Sequence, residues 1–211
     1  MKITVESDGL KFIGLFFLIG VLFLFVFWRL WPIGVIFFLL TLSSTLFFRE
    51  THTETKFEDS QIVAPASGKI IDIREVLEPD FLKQKVKRIS IFMTLFDEHI
   101  NYAPATGEVV YLSHQPGGFK RAYLDEASIS NEAQKIGFQN EKTAWTMKQI
   151  AGVVARRIVC RCRMGERLRA GEKLGLIRFG SRVELFVLPE VEITVVTGEH
   201  VRGGRTVIGR M

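Results

Sequence analysis

Cysteine is nearly absent from this 211-residue chain, which has only Cys160 and Cys162. Two thiols cannot complete a four-ligand metal site, and a bridge between positions i and i+2 of a strand would be strained. Free thiols in a reducing compartment are expected. Histidine is scarce too, with four residues (His52, His99, His114 and His200), so imidazole chemistry has few places to reside. The net charge is only +5. The one basic cluster, "ARRIVCRCRMGERLR" at 155–169, lacks interleaved aromatics, which argues against nucleic acid as a partner and leaves a solvated strand face or anionic headgroups.

Charge of either sign is missing altogether from residues 12–28, "FIGLFFLIGVLFLFVFW", and 32–48, "PIGVIFFLLTLSSTLFF". Each run is about long enough to cross a bilayer core, and the pair joined by "RLW" is too long and too aromatic for a cleaved signal peptide. The expectation is a transmembrane or re-entrant helical hairpin over residues 1–49. Lys2, Lys11 and Arg49 flank it while the turn offers only Arg29, which places both ends, and the domain that follows, on the cytoplasmic side of the cell membrane.

Residues 50–211 suffice for one further domain with its own core. Short apolar runs punctuated by glycine, at 64–73, 88–96, 103–112, 149–162, 173–179, 182–189 and 192–198, predict a mainly β, antiparallel domain of α+β class. A loop and a short helix, capped near Asp125 or Ser128, interrupt the strands between 114 and 135. Two internal similarities stand out: "APASGKIIDI" matches "APATGEVVYL", and "MGERLRAGEKLGLI" matches "TGEHVRGGRTVIG". The second pair resembles the glycine turns of biotinyl/lipoyl barrel-sandwich domains, although the tips lack the carrier lysine motif.

Within "RISIFMTLFDEHINYAPATG", a strand runs into Asp97, Glu98 and His99 and then a turn, placing an imidazole at the sheet edge with carboxylates nearby. Imidazole titrates near neutrality and is the usual proton carrier. Further on, "RFGSRVELFVLP" reads as a strand that opens on Gly180-Ser181. A glycine there marks a bend or a close approach, and it lets a neighbouring hydroxyl reach a distorted peptide without a side-chain clash.

Taken in order, the apolar hairpin with "FFRE", "APASGKI", "ISIFMTLFDEHINYAPATGEV", "PGGFKRAYLDEASISNE", "IRFGSRVELFVLP" and "GEHVRGGRTVIG" resemble the short bacterial and archaeal phosphatidylserine decarboxylase proenzymes, over residues 10–211. That resemblance implies self-cleavage: the Ser181 hydroxyl attacks the Gly180 carbonyl, the ester eliminates to dehydroalanine, and hydrolysis leaves a covalent pyruvoyl cofactor at residue 181. It implies a β subunit of residues 1–180 and an α subunit of 181–211 that stay together as partners. It further implies a membrane phospholipid substrate decarboxylated to phosphatidylethanolamine, with His99 as base and later proton donor. Arg121, Arg156 and Arg182 are candidates for the phosphodiester, and a homodimer is expected. The family usually has "PADG" where this chain has Pro65-Ala66-Ser67-Gly68, so Ser67 stands where an aspartate would complete an Asp-His-Ser set. Asp97 or Asp72 is a possible substitute. A membrane-anchored adaptor with a barrel-sandwich domain, or an inactive relative, shares the hairpin and the glycine turns but needs no histidine beside Gly180-Ser181.

Overall fold

The computed structural model describes residues 2–52, 56–153, 157–177 and 181–211. The chain divides into two compact units, Met1–Glu54 and Thr55–Met211.

In the first unit, strand β1 (Lys2–Val5) leads into helix α1 (Ser7–Phe25). A 3-10 turn at Trp28–Leu30 joins it to α2 (Trp31–Phe47), and β2 (Arg49–His52) returns to pair antiparallel with β1. A helix satisfies its backbone internally, which is what an apolar solvent demands. Thr41 and Thr45 donate their hydroxyls to the carbonyls of Phe37 and Thr41, at 2.8 and 2.9 Å, so they too are satisfied inside α2. The helices meet where side chains vanish: a Cβ on Gly34 would lie 3.0 Å from the Gly20 carbonyl oxygen. Phe17 and Phe38 then pack edge to face with centroids 5.5 Å apart. By length and composition Trp28–Phe47 is long and apolar enough to cross a membrane, at mean hydropathy 1.9, whereas Gly9–Phe25 is shorter.

The second unit runs β3 (Gln61–Val63), β4 (Gly68–Glu78), β5 (Gln84–Met93), β6 (Ile100–Tyr102) and β7 (Gly107–Gln115). Then come α3 (Asp125–Ser130), β8 (Ala133–Gln139), β9 (Ala144–Ile150), β10 (Ile158–Cys160), β11 (Arg167–Leu168) and β12 (Lys173–Ile177). The chain ends with β13 (Ser181–Val187), β14 (Glu192–Ile193), β15 (His200–Val201) and β16 (Val207–Arg210). Eight strands form one curled antiparallel sheet, a half-barrel, in the order β11-β7-β8-β9-β13-β5-β4-β15. Two three-stranded sheets, β10-β12-β6 and β14-β16-β3, accompany it. The structure is thus mainly β with an N-terminal helical pair.

The repeats seen in the sequence become a matched pair of edges. Leu168 of β11 pairs with Gly107, where β7 starts, and Val201 of β15 pairs with Gly68, where β4 starts. Gly165 donates to the Val109 carbonyl and Gly198 to that of Ile70, each at 2.8 Å; both glycines have positive φ, 78° and 97°, which L side chains rarely adopt. Gly171 and Gly204, at φ 78° and 64°, then donate to the carbonyls of Ala103 and Ala64. The same short glycine turn therefore closes the sheet at both ends.

Strand alternation gives β13 two unlike faces. Val183, Leu185 and Val187 join Ile89, Ile91, Met147 and Phe138 in the core. Arg182 and Glu184 face the other way, also fully buried, beneath the α3 segment. The short helix is where the sequence places it, but its cap is not: α3 starts after Leu124 with no side-chain cap, Asp125 binds Arg74 at 2.9 Å, and Ser128 donates to Glu184 at 2.8 Å. The run 149–162 is two strands rather than one, because Ala151 leaves the sheet to donate to the Glu132 carbonyl.

Candidate active site

Ser181 is the first residue of β13 and has no exposed surface. Its register partner in β5 is Met93, and its hydroxyl lies 3.3 Å from the Met93 sulfur. The Asn101 amide lies 3.9 Å from that same sulfur, and Asn101 Oδ1 accepts from Gln149 Nε2 at 2.7 Å. Asn101 and Gln149 are both fully buried, and among the described residues Gln149 Oε1 has no hydrogen-bond partner. A buried acceptor without a donor costs about 1–3 kcal/mol, so this one invites an N–H from outside. The Met93–Asn101–Gln149 group was not legible as a unit in the sequence; the only signal was amide side chains inside apolar strand patterns.

His99 is buried, not a surface histidine. Its Nδ1 lies 2.8 Å from the Asp97 backbone carbonyl. A carbonyl only accepts, so Nδ1 carries the proton, and in the neutral ring Nε2 is the basic nitrogen. The His99 carbonyl in turn accepts from Ile177 at 3.2 Å, at the end of β12. Ser181 follows four residues later, a span of at most about 14 Å of extended chain. Gly180, the expected other side of the scissile bond, lies outside the described residues, as does Arg156.

The carboxylate of Asp97 does not hold the ring. Its Oδ2 accepts from the Thr94 amide and hydroxyl, both at 2.7 Å, and its Oδ1 meets His200 Nε2 at 2.9 Å. Glu98 accepts from the Tyr102 hydroxyl and, at 2.5 Å, from Arg205. Ser67 accepts from the Gly203 amide at 2.9 Å. Three contacts therefore tie the segment after residue 181 to the loop carrying His99 and to the turn before β4. Asp72 is elsewhere, held by Arg88 at 2.7 Å and Arg74 at 2.9 Å.

Arg182 is not a solvated arginine. It pairs with Glu184 at 2.6 Å and donates to Ser90 Oγ at 2.9 Å and to the Leu124 carbonyl at 3.4 Å. Desolvation pulls its pKa down, and Glu184 partly restores it. Lys148 shares this pocket, donating to the Ser128 carbonyl at 2.5 Å; burial lowers its pKa to about 8 against the opposing pull of Glu184. Arg121 is exposed and donates to the Tyr123 hydroxyl at 3.1 Å. Cys160 and Cys162 are free thiols with sulfurs 3.1 Å apart; the contact lowers the Cys160 pKa and raises that of Cys162.

A profile of the phosphatidylserine decarboxylase family matches residues 40–209. A phosphatidylserine decarboxylase proenzyme of Syntrophotalea carbinolica is 40% identical over 208 residues, 97% of this chain and 95% of its own length. One of Symbiobacterium thermophilum is 38% identical over 98% of this chain and 95% of its own, and one of Magnetococcus marinus 42% identical over 78% and 76%.

Proposed function

Because the chain belongs to the phosphatidylserine decarboxylase family, we propose that it is a proenzyme that cuts itself between Gly180 and Ser181 and then decarboxylates phosphatidylserine to phosphatidylethanolamine. The observation that carries this reading is the tether from His99 to Ile177, four residues before a buried serine at the head of a central strand.

In the cutting step, His99 Nε2 takes the Ser181 hydroxyl proton and the oxygen attacks the Gly180 carbonyl carbon. The peptide C–N bond breaks, the proton passes to the Ser181 nitrogen, and an ester joins the two pieces. The Asp97 carbonyl keeps the imidazole in the required tautomer. Ser67, in the place of the family's aspartate, braces Gly203 instead.

The site suits the pyruvoyl group that would follow. Residue 181 lies against Met93, and Asn101 links Met93 to Gln149, whose unpartnered Oε1 can accept from a substrate amine. Such a carbonyl supplies an electron sink for the electrons left when carbon dioxide departs. His99 returns a proton to the substrate carbon, and the packed core excludes water from residue 181. Arg182 holds the strand from its other face, and Arg121, being exposed, is the better placed of the two for a phosphodiester.

On this reading residues 1–49 anchor the protein and residues 50–211 carry the chemistry, as a β subunit of 1–180 and an α subunit of 181–211. The hairpin keeps the domain on the cytoplasmic side of the membrane holding its substrate, as a homodimer. Mass spectrometry with and without hydroxylamine tests the cutting step, since hydroxylamine cleaves the ester and captures the carbonyl. Carbon dioxide release from phosphatidylserine tests the second. A chain that stays whole on long incubation and releases no carbon dioxide overturns the reading and favours a binding protein.

A further inference from the structure

At the end of the eight-stranded sheet where β13 begins, six large apolar side chains are between 42% and 85% exposed. Leu95 and Phe96 directly follow β5, and Phe96 is 85% exposed. Tyr123 and Leu124 lie at the same end: the Tyr123 ring meets Phe92 edge to face at 5.9 Å, and Leu124 accepts from Arg182. Phe92 and Arg182 are register partners one step in from Ser181. Val153 stands three residues past Ile150, which pairs with Arg182. Ile129, 80% exposed, neighbours Ser128, which donates to Glu184.

Such a concentration needs a reason, since covering one Leu or Phe is worth about 1.5–3 kcal/mol and large exposed apolar patches mark docking sites. Charge narrows the occupant. Lys69, Arg121 and Arg202 are exposed at this end: Lys69 pairs with Phe92, and Arg202 follows Val201, the partner of Gly68. Two acids on α3, Asp125 and Glu126, are occupied by Arg74 and Lys120 at 2.9 and 2.6 Å. Apolar loop tips ringed by cations match a bilayer surface bearing anionic headgroups, with rings and aliphatic chains in the acyl boundary and cations at the phosphates.

We propose that the loop after β5 and the segment 123–129 insert into an anionic bilayer surface, giving residues 55–211 a membrane contact of their own besides the hairpin. The Ser181 end of the sheet then faces the lipid. The benefit of this contact rests on the lipid-substrate reading above; the contact itself is measured without catalysis.

The test uses the full-length chain with both native cysteines replaced by serine and Phe96→Cys carrying a nitroxide, in vesicles of phosphatidylcholine with phosphatidylglycerol. Lys142→Cys, exposed in the β8–β9 turn at the opposite end of the sheet, is the reference. The label at 96 should collide with oxygen more than with an aqueous nickel chelate, and the label at 142 the reverse. Aqueous readings at both positions overturn the proposal. Protection from both reagents, with dipolar broadening between labels, also overturns it and assigns the loop to a second copy of the chain. In a second arm, the double variant Leu95→Ser/Phe96→Ser should turn over vesicle-borne phosphatidylserine at least ~10-fold more slowly and short-chain monomeric substrate at the wild-type rate. Equal loss on both substrates counts against docking. Absence of all turnover in the wild type would refute the decarboxylase reading while leaving the depth measurement valid.

Discussion

His99 takes its orientation from the main chain of Asp97, two residues earlier, through a 2.8 Å contact from Nδ1 to a carbonyl oxygen. A carbonyl fixes the ring's tautomer but, lacking a full negative charge, stabilises the imidazolium less than a carboxylate does. The side chain of Asp97 instead bridges Thr94 and His200 and stiffens the loop that presents the ring.

His99→Ala and Ser181→Ala should each remain one polypeptide on a denaturing gel. The wild type should release a 31-residue fragment, residues 181–211 of 211. Normal cutting in His99→Ala would remove the imidazole from the mechanism.

Asp97→Ala should slow cutting by about tenfold, roughly 1.4 kcal/mol, because the loop loses three contacts to one carboxylate. His200→Ala should matter less, since its ring is largely exposed and such pairs are worth about 0.2–1 kcal/mol. A time course of chain cleavage ranks the two, and the reverse order would contradict the assignment of Asp97 as the brace.

Ser67→Ala removes the acceptor for the buried Gly203 amide and should lower stability by about 1–3 kcal/mol in denaturant titrations. Ser67→Asp should keep that bond and speed cutting, as the family pattern implies. A slower Ser67→Asp chain would show that this site has settled on a different geometry.

Glu184→Gln should be among the most destabilising single changes, at about 3–5 kcal/mol, because Arg182 would stay buried with its paired carboxylate gone, while Arg88 would keep only Asp72. Replacing Arg182 and Glu184 together by apolar residues should cost less than Glu184→Gln alone. Unfolding curves of the two variants decide the order.

Lys148 supplies a pH signature. Burial holds its folded pKa at about 8, below the ordinary lysine value of 10.5, so between those values the unfolded chain binds more protons and stability rises with pH. The protein should gain up to roughly 3 kcal/mol relative to Lys148→Met between pH 7 and 10.5. A constant difference over that window would mean that the amine titrates normally when folded.

Much of the architecture was legible because it is written in local terms. The hairpin follows from two stretches without charge, and the paired sheet edges follow from the glycine turns repeated around 165 and 198. The β8–β9 hairpin was not, because Gly137 and Lys148 weaken its strand pattern. Both belong there for tertiary reasons: a Cβ on Gly137 would lie 2.8 Å from that of Tyr111, and Lys148 serves the buried charges. Arg182 stood out as a candidate for the phosphodiester rather than as half of a buried ion pair, although Glu184 two positions on shares its face. His99 and Ser181 could be singled out by residue type and block order. Their surroundings could not, since Met93, Asn101 and Gln149 come from three separate strands.

The last 31 residues do not form an appendage. Their first strand, β13, lies between β5 and β9, and two later ones complete β4 and β3. Severing the chain before Ser181 would leave a heterodimer sewn through its own middle. It should survive any dilution while native, yet once denatured its renaturation becomes an encounter between two molecules, slower as the sample is thinned. The nick would make the fold a one-way product of its history.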